Sequence, residues 1–488
     1  MDDKKHPDSV AAGHIDVSSI KHCLQKGDAK LALQYCHELL ADDPQHIQTL
    51  LFAALASRSL GWLDDALDFI NRALTVSPSQ PATHSLMGDI LLLQKRPEHA
   101  LKALLKAECL GDGSAPTRFN IGAAYLALDA FDDAKHYFDK ALVIDPRMAA
   151  AHVNKGLAEH SMMSLDRAID CFDSALLIDP NNIDAKWNKS HVLLTLGDYQ
   201  AGFKLFEARW NNPKVRLKKR NFQSELWLGQ GNVSGKKMLL HAEGGFGDSL
   251  QFIRYAKLFS RDVSLIIQCQ PPLIDLFRDA FSDAHIIATG EKAPDHDFHC
   301  PLMSLPLAFG HELGEVPSFP RYIYPCNSLK QKWKPVIDKI GQLKIGVMVR
   351  GSGSFNGDKR SIELQKLERY LPSDAGFVLL QKELTKSENK FVASRVEWVA
   401  PCSDFSETAA ICELLDAVVS VDTSVAHLAA AMGKPTVLLL PFRPDWRWGN
   451  EGQKTIWYPS CTLLRQPQHD DWNSIFKFIR PAITKIVS

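Results

Sequence analysis

F-D-D-A-K-H-Y-F-D-K-A-L-V-I-D-P, Phe131–Pro146, returns one period later as L-D-R-A-I-D-C-F-D-S-A-L-L-I-D-P, Leu165–Pro180. Four kinds of position repeat in phase: Ala134 with Ala168, Phe138 with Phe172, Ala141 with Ala175, and Pro146 with Pro180. The interval extends outward. Pro44, Pro78, Pro146 and Pro180 stand one or two periods apart, and the proline missing from the series falls at Asp112 in the turn G-D-G. Ala32, Ala66 and Ala100 continue one alanine series and Ala73 and Ala107 the other, with Gly88, Gly122 and Gly156 also in phase. A small residue is needed where two antiparallel helices cross closely, an aromatic fills the groove beside it, and proline stops the second helix. The pattern predicts stacked helix pairs that bury their apolar faces only against their neighbours.

A period of about 34 residues with these residue types resembles the tetratricopeptide repeat, from residue 16 to residue 210. Five units are followed by a modified sixth, Ile183 to Trp210, whose second helix reads G-D-Y-Q-A-G-F-K-L-F-E-A-R-W. Such a stack curves into a superhelix whose concave surface suits a protein partner, or serves as a docking arm.

Composition narrows the function classes. Hydrophobic residues make up 45% and charged residues 23% of 488, ordinary for a chain able to bury real cores. The net charge of -1 gives no basic field for nucleic acid, and the run K-V-R-L-K-K-R, Lys214 to Arg220, reads as a solvated connector. Ten cysteines are scattered without a C-x-x-C pair, which suits a reducing compartment. The opening M-D-D-K-K-H-P-D is polar and no run approaches the ~18 apolar residues of a membrane span, so a cytoplasmic protein without a secretory leader or transmembrane segment is expected. The set H-D-F-H-C, His296 to Cys300, holds metal-ligand residue types, but no second cluster completes a site and no metal is expected.

After the connector, continuous apolar runs alternate with helical stretches. The first series is K-M-L-L-H-A (Lys237 to Ala242), V-S-L-I-I-Q-C (Val263 to Cys269) and H-I-I-A (His285 to Ala288). A polar, proline-bearing stretch, Tyr322 to Gly341, separates it from K-I-G-V-M-V (Lys344 to Val349), F-V-L-L-Q (Phe377 to Gln381), V-E-W-V (Val396 to Val399), A-V-V-S-V-D (Ala417 to Asp422) and T-V-L-L-L (Thr436 to Leu440). Such runs predict parallel sheets covered on both faces, in two doubly wound halves. Ligands of these folds sit at the carboxyl ends of the strands. There the chain reads H-A-E-G-G-F-G-D-S-L-Q-F (His241 to Phe252) and V-D-T-S-V-A-H-L-A-A-A-M-G-K-P (Val421 to Pro435). Gly244, Gly245 and Gly247 open a helix whose N-terminus favours an anion; Asp248 is either its cap or a reactive carboxylate. Asp422, Thr423 and Ser424 end a strand and start a helix, with His427 one turn on. The blander reading there is a cap followed by a buried histidine. P-D-W-R-W, Pro444 to Trp448, suits aromatic packing of a lid, or stacking on a base or sugar.

The second turn resembles the donor-site signature of the ADP-heptose–lipopolysaccharide heptosyltransferase family, and G-F-G-D is similar to that family's N-terminal glycine loop. The chain is closer still to a bacterial group that fuses tetratricopeptide repeats to such a domain. P-L-M-S-L-P (Pro301 to Pro306), D-F-S-E-T-A-A (Asp404 to Ala410), L-L-P-F-R-P-D-W-R-W (Leu439 to Trp448) and W-Y-P-S (Trp457 to Ser460) carry that likeness, which covers Trp227 to Gln466. Val349 and Ser352 stand where the group usually has tryptophan and asparagine, while Asp358, Arg360 and Ser361 match the residue types of its D-x-x-R-S stretch, here one residue shorter as D-K-R-S. The resemblance implies an α superhelix (16–210), a connector (211–235) and an α/β, GT-B-like pair of Rossmann-type halves (236–325 and a donor-binding 342–488). It also implies sugar transfer from a nucleotide-diphosphate sugar, with inversion and no metal or other cofactor. In that chemistry Asp248 is the base. Arg360 and Lys359 neutralise the diphosphate, and Gly247, Asp422, Thr423 and Ser424 hold phosphate or sugar oxygens with His427 in support. Gln381 and Glu383 touch the nucleoside. A protein or glycan acceptor would be recruited by the repeats. The alternative is a non-catalytic repeat scaffold with a degenerate nucleotide-sugar-binding domain. A protein O-GlcNAc transferase-like activity shares the architecture, but its motifs fit less well.

Overall fold

The structure, a computed structural model, describes residues 16–215, 217, 220–310, 316–351, 359–395, 397–399 and 404–487. Ser352, Asp358, Val396 and three members of the basic run (Arg216, Lys218 and Lys219) lie outside the described residues. The chain divides after Pro180 into two compact units.

The first unit is all helical, from Val17–Gln25 to Leu165–Ile178, in successive pairs such as Ala115–Ala127 with Phe131–Ile144. Ala66, Ala100, Ala134 and Ala168 are 0% exposed, as the repeat register requires. The in-phase glycines have a direct physical cause. A Cβ added to Gly122 would stand 2.7 Å from Cε1 of Phe138, and one added to Gly156 would stand 2.6 Å from Cε1 of Phe172. Each glycine is the absence into which the next helix's aromatic packs. The turn inside each pair also repeats. Gly27 and Gly61 (φ 79° each), Lys95 and Asp129 (58° each) and Met163 (59°) all adopt the left-handed conformation, each one period after the last.

The second unit starts with the helices Ile183–Leu196 and Tyr199–Phe206 and a 3-10 turn, Glu207–Asn211. Leu194, Phe203 and Phe206 belong to the same core as Met238, Leu240, Phe252 and Trp446 of the α/β region, so this helix pair is built into that region's interior. Five parallel strands follow: β1 (Glu225–Leu226), β2 (Lys237–His241), β3 (Ser264–Cys269), β4 (His285–Ala288) and β5 (Phe298–Pro301), in the order β1-β5-β2-β3-β4. The second sheet holds β6 (Leu343–Met348), β7 (Ala375–Leu379), β8 (Trp398–Val399), β9 (Ala417–Val421), β10 (Thr436–Leu440) and β11 (Cys461–Arg465). Its order is β11-β10-β9-β6-β7-β8, again all parallel, as for a GT-B-like pair. Three strands went unread in the sequence. The edge strand β1 lies within the expected connector, β5 contains most of H-D-F-H-C, and β11 follows W-Y-P-S. Among the described residues no helix is long and apolar enough to cross a membrane.

Candidate functional site

Where β2 ends, the chain passes through Gly244 and Gly245 into the short helix Phe246–Phe252. Asp248 folds back over this turn, and its Oδ2 accepts the N–H of Gly245 at 2.7 Å, satisfying one orphan donor of the helix start. Two glycines are required by close approach. A Cβ on Gly244 would meet Asp248 Oδ2 at 2.1 Å, and one on Gly247 would meet Cδ2 of His427 at 2.8 Å. The loop is also tied to the next strand end: Gln270 Nε2 donates to Gly244 O (2.9 Å), and Gln270 Oε1 accepts from Ser249 Oγ (2.9 Å).

The other turn leaves β9 through Asp422 and Thr423 and starts the helix Ser424–Ala431. Thr423 is the cap residue in extended conformation, with its hydroxyl 3.3 Å from Ser420 Oγ, and Ser424 is half-buried. Asp422 is buried, and its backbone oxygen accepts from Nη1 of the exposed Arg360 at 3.3 Å. Burial, with Asp445 nearby, raises the Asp422 carboxyl; the charge of Arg360 works the other way. The His427 ring stacks on Trp448 at 5.2 Å, and its Nδ1 shares a hydrogen bond with the Tyr458 hydroxyl (2.8 Å). Its Nε2 lies 3.9 Å from Asp422 Oδ1. Burial, helped by the charge of Arg447, pushes His427 down to about 3, so it sits in the fold as a neutral imidazole. Because Gly247 packs on His427, the two turns meet although all the strands from β3 to β9 separate them along the chain.

Sequence reasoning missed Arg447. The segment P-D-W-R-W does bury its tryptophans, but the arginine between them reaches across to the glycine loop. Arg447 Nη2 donates to Asp248 Oδ1 (2.5 Å), Nε to Gln251 Oε1 (2.6 Å) and Nη1 to Asp445 Oδ1 (2.8 Å). Its guanidinium lies 4.5 Å from the Trp446 ring centroid and 5.6 Å from that of Phe252. Burial opposes its charge, but Asp445 and Asp248 outweigh burial and hold it firmly cationic. A second buried arginine holds the other end of the loop. Arg209, from the 3-10 turn after the helix pair, donates from Nη2 to Glu243 Oε1 (2.9 Å) and Ser304 Oγ (2.7 Å), and from Nη1 to Glu207 Oε1 (2.5 Å). Burial pushes Glu243 up to about 7 against the pull of Arg209.

Two of the remaining candidates, Gln381 and Glu383, lie along the same carboxyl edge of the second sheet, past β7, two strands from β9. Gln381 is buried there, and its Oε1 has no hydrogen-bond partner among the described residues. Glu383 is exposed, and its backbone oxygen accepts from Arg350 Nη2 at 2.6 Å. Lys359 is exposed beside Arg360. The geometry therefore joins Gly247, Asp248, Asp422, Thr423, Ser424, His427 and Arg360 through contacts or chain adjacency. Gln381 and Glu383 share the edge without a direct contact to that group.

Comparison with known proteins finds a tetratricopeptide repeat model matching residues 119–183 and the model of glycosyltransferase family 9 (heptosyltransferase) matching residues 380–449. The Protein FlbA of Caulobacter vibrioides is 21% identical over 325 residues, covering 60% of this chain and 54% of FlbA, so the chain spans about half the length of the curated relative it matches. Among solved structures, MamA is 22% identical, covering 34% of this chain and 97% of its own at a TM-score of 0.31. PilW, a type IV pilus biogenesis factor, is 18% identical, covering 41% and 92% at a TM-score of 0.38. The chain thus carries, in order, a tetratricopeptide-repeat segment and a segment of the glycosyltransferase family 9 (heptosyltransferase) type.

Proposed function

We propose that the chain is a glycosyltransferase that moves a sugar from a nucleotide-diphosphate sugar to an acceptor brought by the repeats, in a reducing, cytoplasmic compartment. The observation that carries this reading is the contact of Gly247 with His427, which sets a carboxylate from one half beside the strand-to-helix turn of the other. In the reaction, Asp248 takes the acceptor hydroxyl proton while the acceptor oxygen attacks the sugar carbon and the nucleotide diphosphate leaves. Thr423, Ser424 and the N–H groups after Asp422 hold the phosphates, with Arg360 and Lys359 neutralising charge. Gln381 offers to the nucleoside an oxygen that has no partner among the described residues. A neutral His427 adds a wall and no charge.

The test starts with a thermal-shift panel of nucleotide diphosphates and their sugars, since a ligand at 100 times its Kd stabilises the fold by ~2.7 kcal/mol. Asp248→Asn then keeps the side-chain volume but cannot accept a proton, and its one remaining oxygen can serve only one of the donors Gly245 N–H and Arg447. Turnover of the stabilising donor should fall by at least roughly 10²–10⁴-fold with donor affinity unchanged. Equal turnover in wild type and Asp248→Asn removes Asp248 from the mechanism. One observation favours the non-catalytic alternative: Val349, buried just past the end of β6, stands where the group this chain resembles usually has tryptophan. Donor binding without turnover supports that scaffold reading.

A further inference from the structure

The loop from Glu243 to Asp248 is held at its two ends by buried arginines that come from outside its own stretch of chain. At the Glu243 end, Arg209 is 1% exposed and its Nη1 and Nη2 reach two carboxylates and a hydroxyl. The backbone N–H of Met303 donates to the same Glu243 Oε1 at 3.2 Å, so this end has little freedom left. At the Asp248 end, the helix cap alone engages only Oδ2. A carboxylate held through one oxygen still swings about its Cα–Cβ and Cβ–Cγ bonds, and proton transfer needs a defined approach.

We propose that Arg447 is a positioning residue for Asp248, supplied from the segment after β10 to aim the carboxylate that the glycine loop presents. The inference rests on the reading of Asp248 as the base. Three of the fork's nitrogens each have one acceptor, Gln251, Asp445 and Asp248, which sets the guanidinium in its plane as well as in place. The Trp446 and Phe252 rings contact the guanidinium and restrict its tilt. These rings are packed in turn by the helix pair that opens the second unit: Phe203 lies 5.6 Å from Trp446 and 6.4 Å from Phe252, centroid to centroid. Each carboxylate oxygen has two acceptor directions, so Asp248 keeps room for a hydroxyl proton while bonded to both arginine and backbone.

The experiment uses the full chain. Arg447→Met removes all three donors and Arg447→Lys keeps the charge without the fork. Hydrogen–deuterium exchange is followed for a peptide covering residues 243–252, with the helix Ala115–Ala127 as internal reference. Loss of a charge-assisted hydrogen bond allows about 10- to 100-fold more local opening, so the loop peptide of Arg447→Met should exchange faster by that factor while the reference is unchanged. Arg447→Lys should fall between, and it decides the matter if Arg447→Met does not fold. With the donor found in the thermal-shift panel, Arg447→Met should lower kcat for slow donor hydrolysis and leave KM unchanged, with partial rescue in Arg447→Lys. Wild-type loop exchange in a folded variant overturns the proposal, as does acceleration spread evenly over residues 181–487. A wild type that hydrolyses no donor counts against the proposed function, and loop exchange then decides the positioning role by itself.

Discussion

The glycine loop makes a prediction that separates three neighbouring glycines by geometry. In Gly244→Ala the new Cβ would lie 2.1 Å from Asp248 Oδ2, so the carboxylate must rotate away and lose its bonds to Gly245 N–H (2.7 Å) and Arg447 (2.5 Å). Losing a hydrogen bond to a charged group costs ~1.5–3 kcal/mol. In Gly247→Ala two terms oppose. Alanine in a helix gains up to ~1 kcal/mol over glycine, less so near an end. The Cβ would press on His427 Cδ2 at 2.8 Å, and that ring is pinned by Tyr458 and Trp448. Overpacking of ~1–3 kcal/mol therefore wins, for a net loss of about 1–2 kcal/mol. In Gly245→Ala the nearest atom is Asp248 Oδ2 at 3.7 Å, an ordinary contact, and φ -75°, ψ 177° suits alanine. That change should stay within ~0.5 kcal/mol. Nine of the ten tryptophans follow Pro180, so urea unfolding followed by tryptophan fluorescence reads mainly the unit that holds the loop. If Gly245→Ala costs as much as Gly244→Ala, or Gly247→Ala costs nothing, the close approaches do not govern the loop.

Ala134→Leu should cost ~1–3 kcal/mol by circular dichroism melting, because Ala134 is fully buried where its backbone meets Gly122. Met163→Gly should stabilise the repeats by about 0.5–1 kcal/mol: relief of a left-handed φ of 59° is worth ~1–2, less the glycine entropy cost of ~0.5–1. A loss on calorimetry would refute it. His427 is neutral in the fold, pushed down to about 3, while the unfolded chain binds a proton near 6.5. Its contribution is complete above pH 6.5 and is lost as pH falls toward 3. His427→Asn should therefore flatten the acid-side decline by up to ~1.4 kcal/mol per pH unit, and identical slopes in wild type and variant would exclude it.

The repeats were legible because their cause is local and periodic: Gly122 and Phe138 sit on the two helices of one pair, and the same contact recurs as Gly156 and Phe172. The long apolar strands were legible for a related reason, since burial on both faces leaves continuous runs such as T-V-L-L-L. Short or edge strands carry no such signal. β1 is two residues, both exposed, and only its pairing with β5 marks it as a strand. The glycines and Asp248 were visible as a turn before a helix, but the partner of Asp248 was not. Arg447 lies 199 residues away, inside an aromatic segment whose blandest reading was packing, and nothing local says which acid an arginine will meet. The helix pair Ile183–Phe206 misled in the opposite direction. It continues the repeat pattern in sequence, yet its aromatic residues serve the α/β interior.

That shared interior matters to anyone wishing to exchange the repeats of this chain for another array. A splice after Trp210, where the periodicity ends, would strip Phe203, Phe206 and Arg209 from the α/β unit, leaving Trp446 and Phe252 wet and Glu243 a buried carboxylate without its cation. A splice at Pro180 leaves all of these in place and falls at a residue that already ends a helix. The workable seam for a graft lies one helix pair earlier than the repeat count suggests.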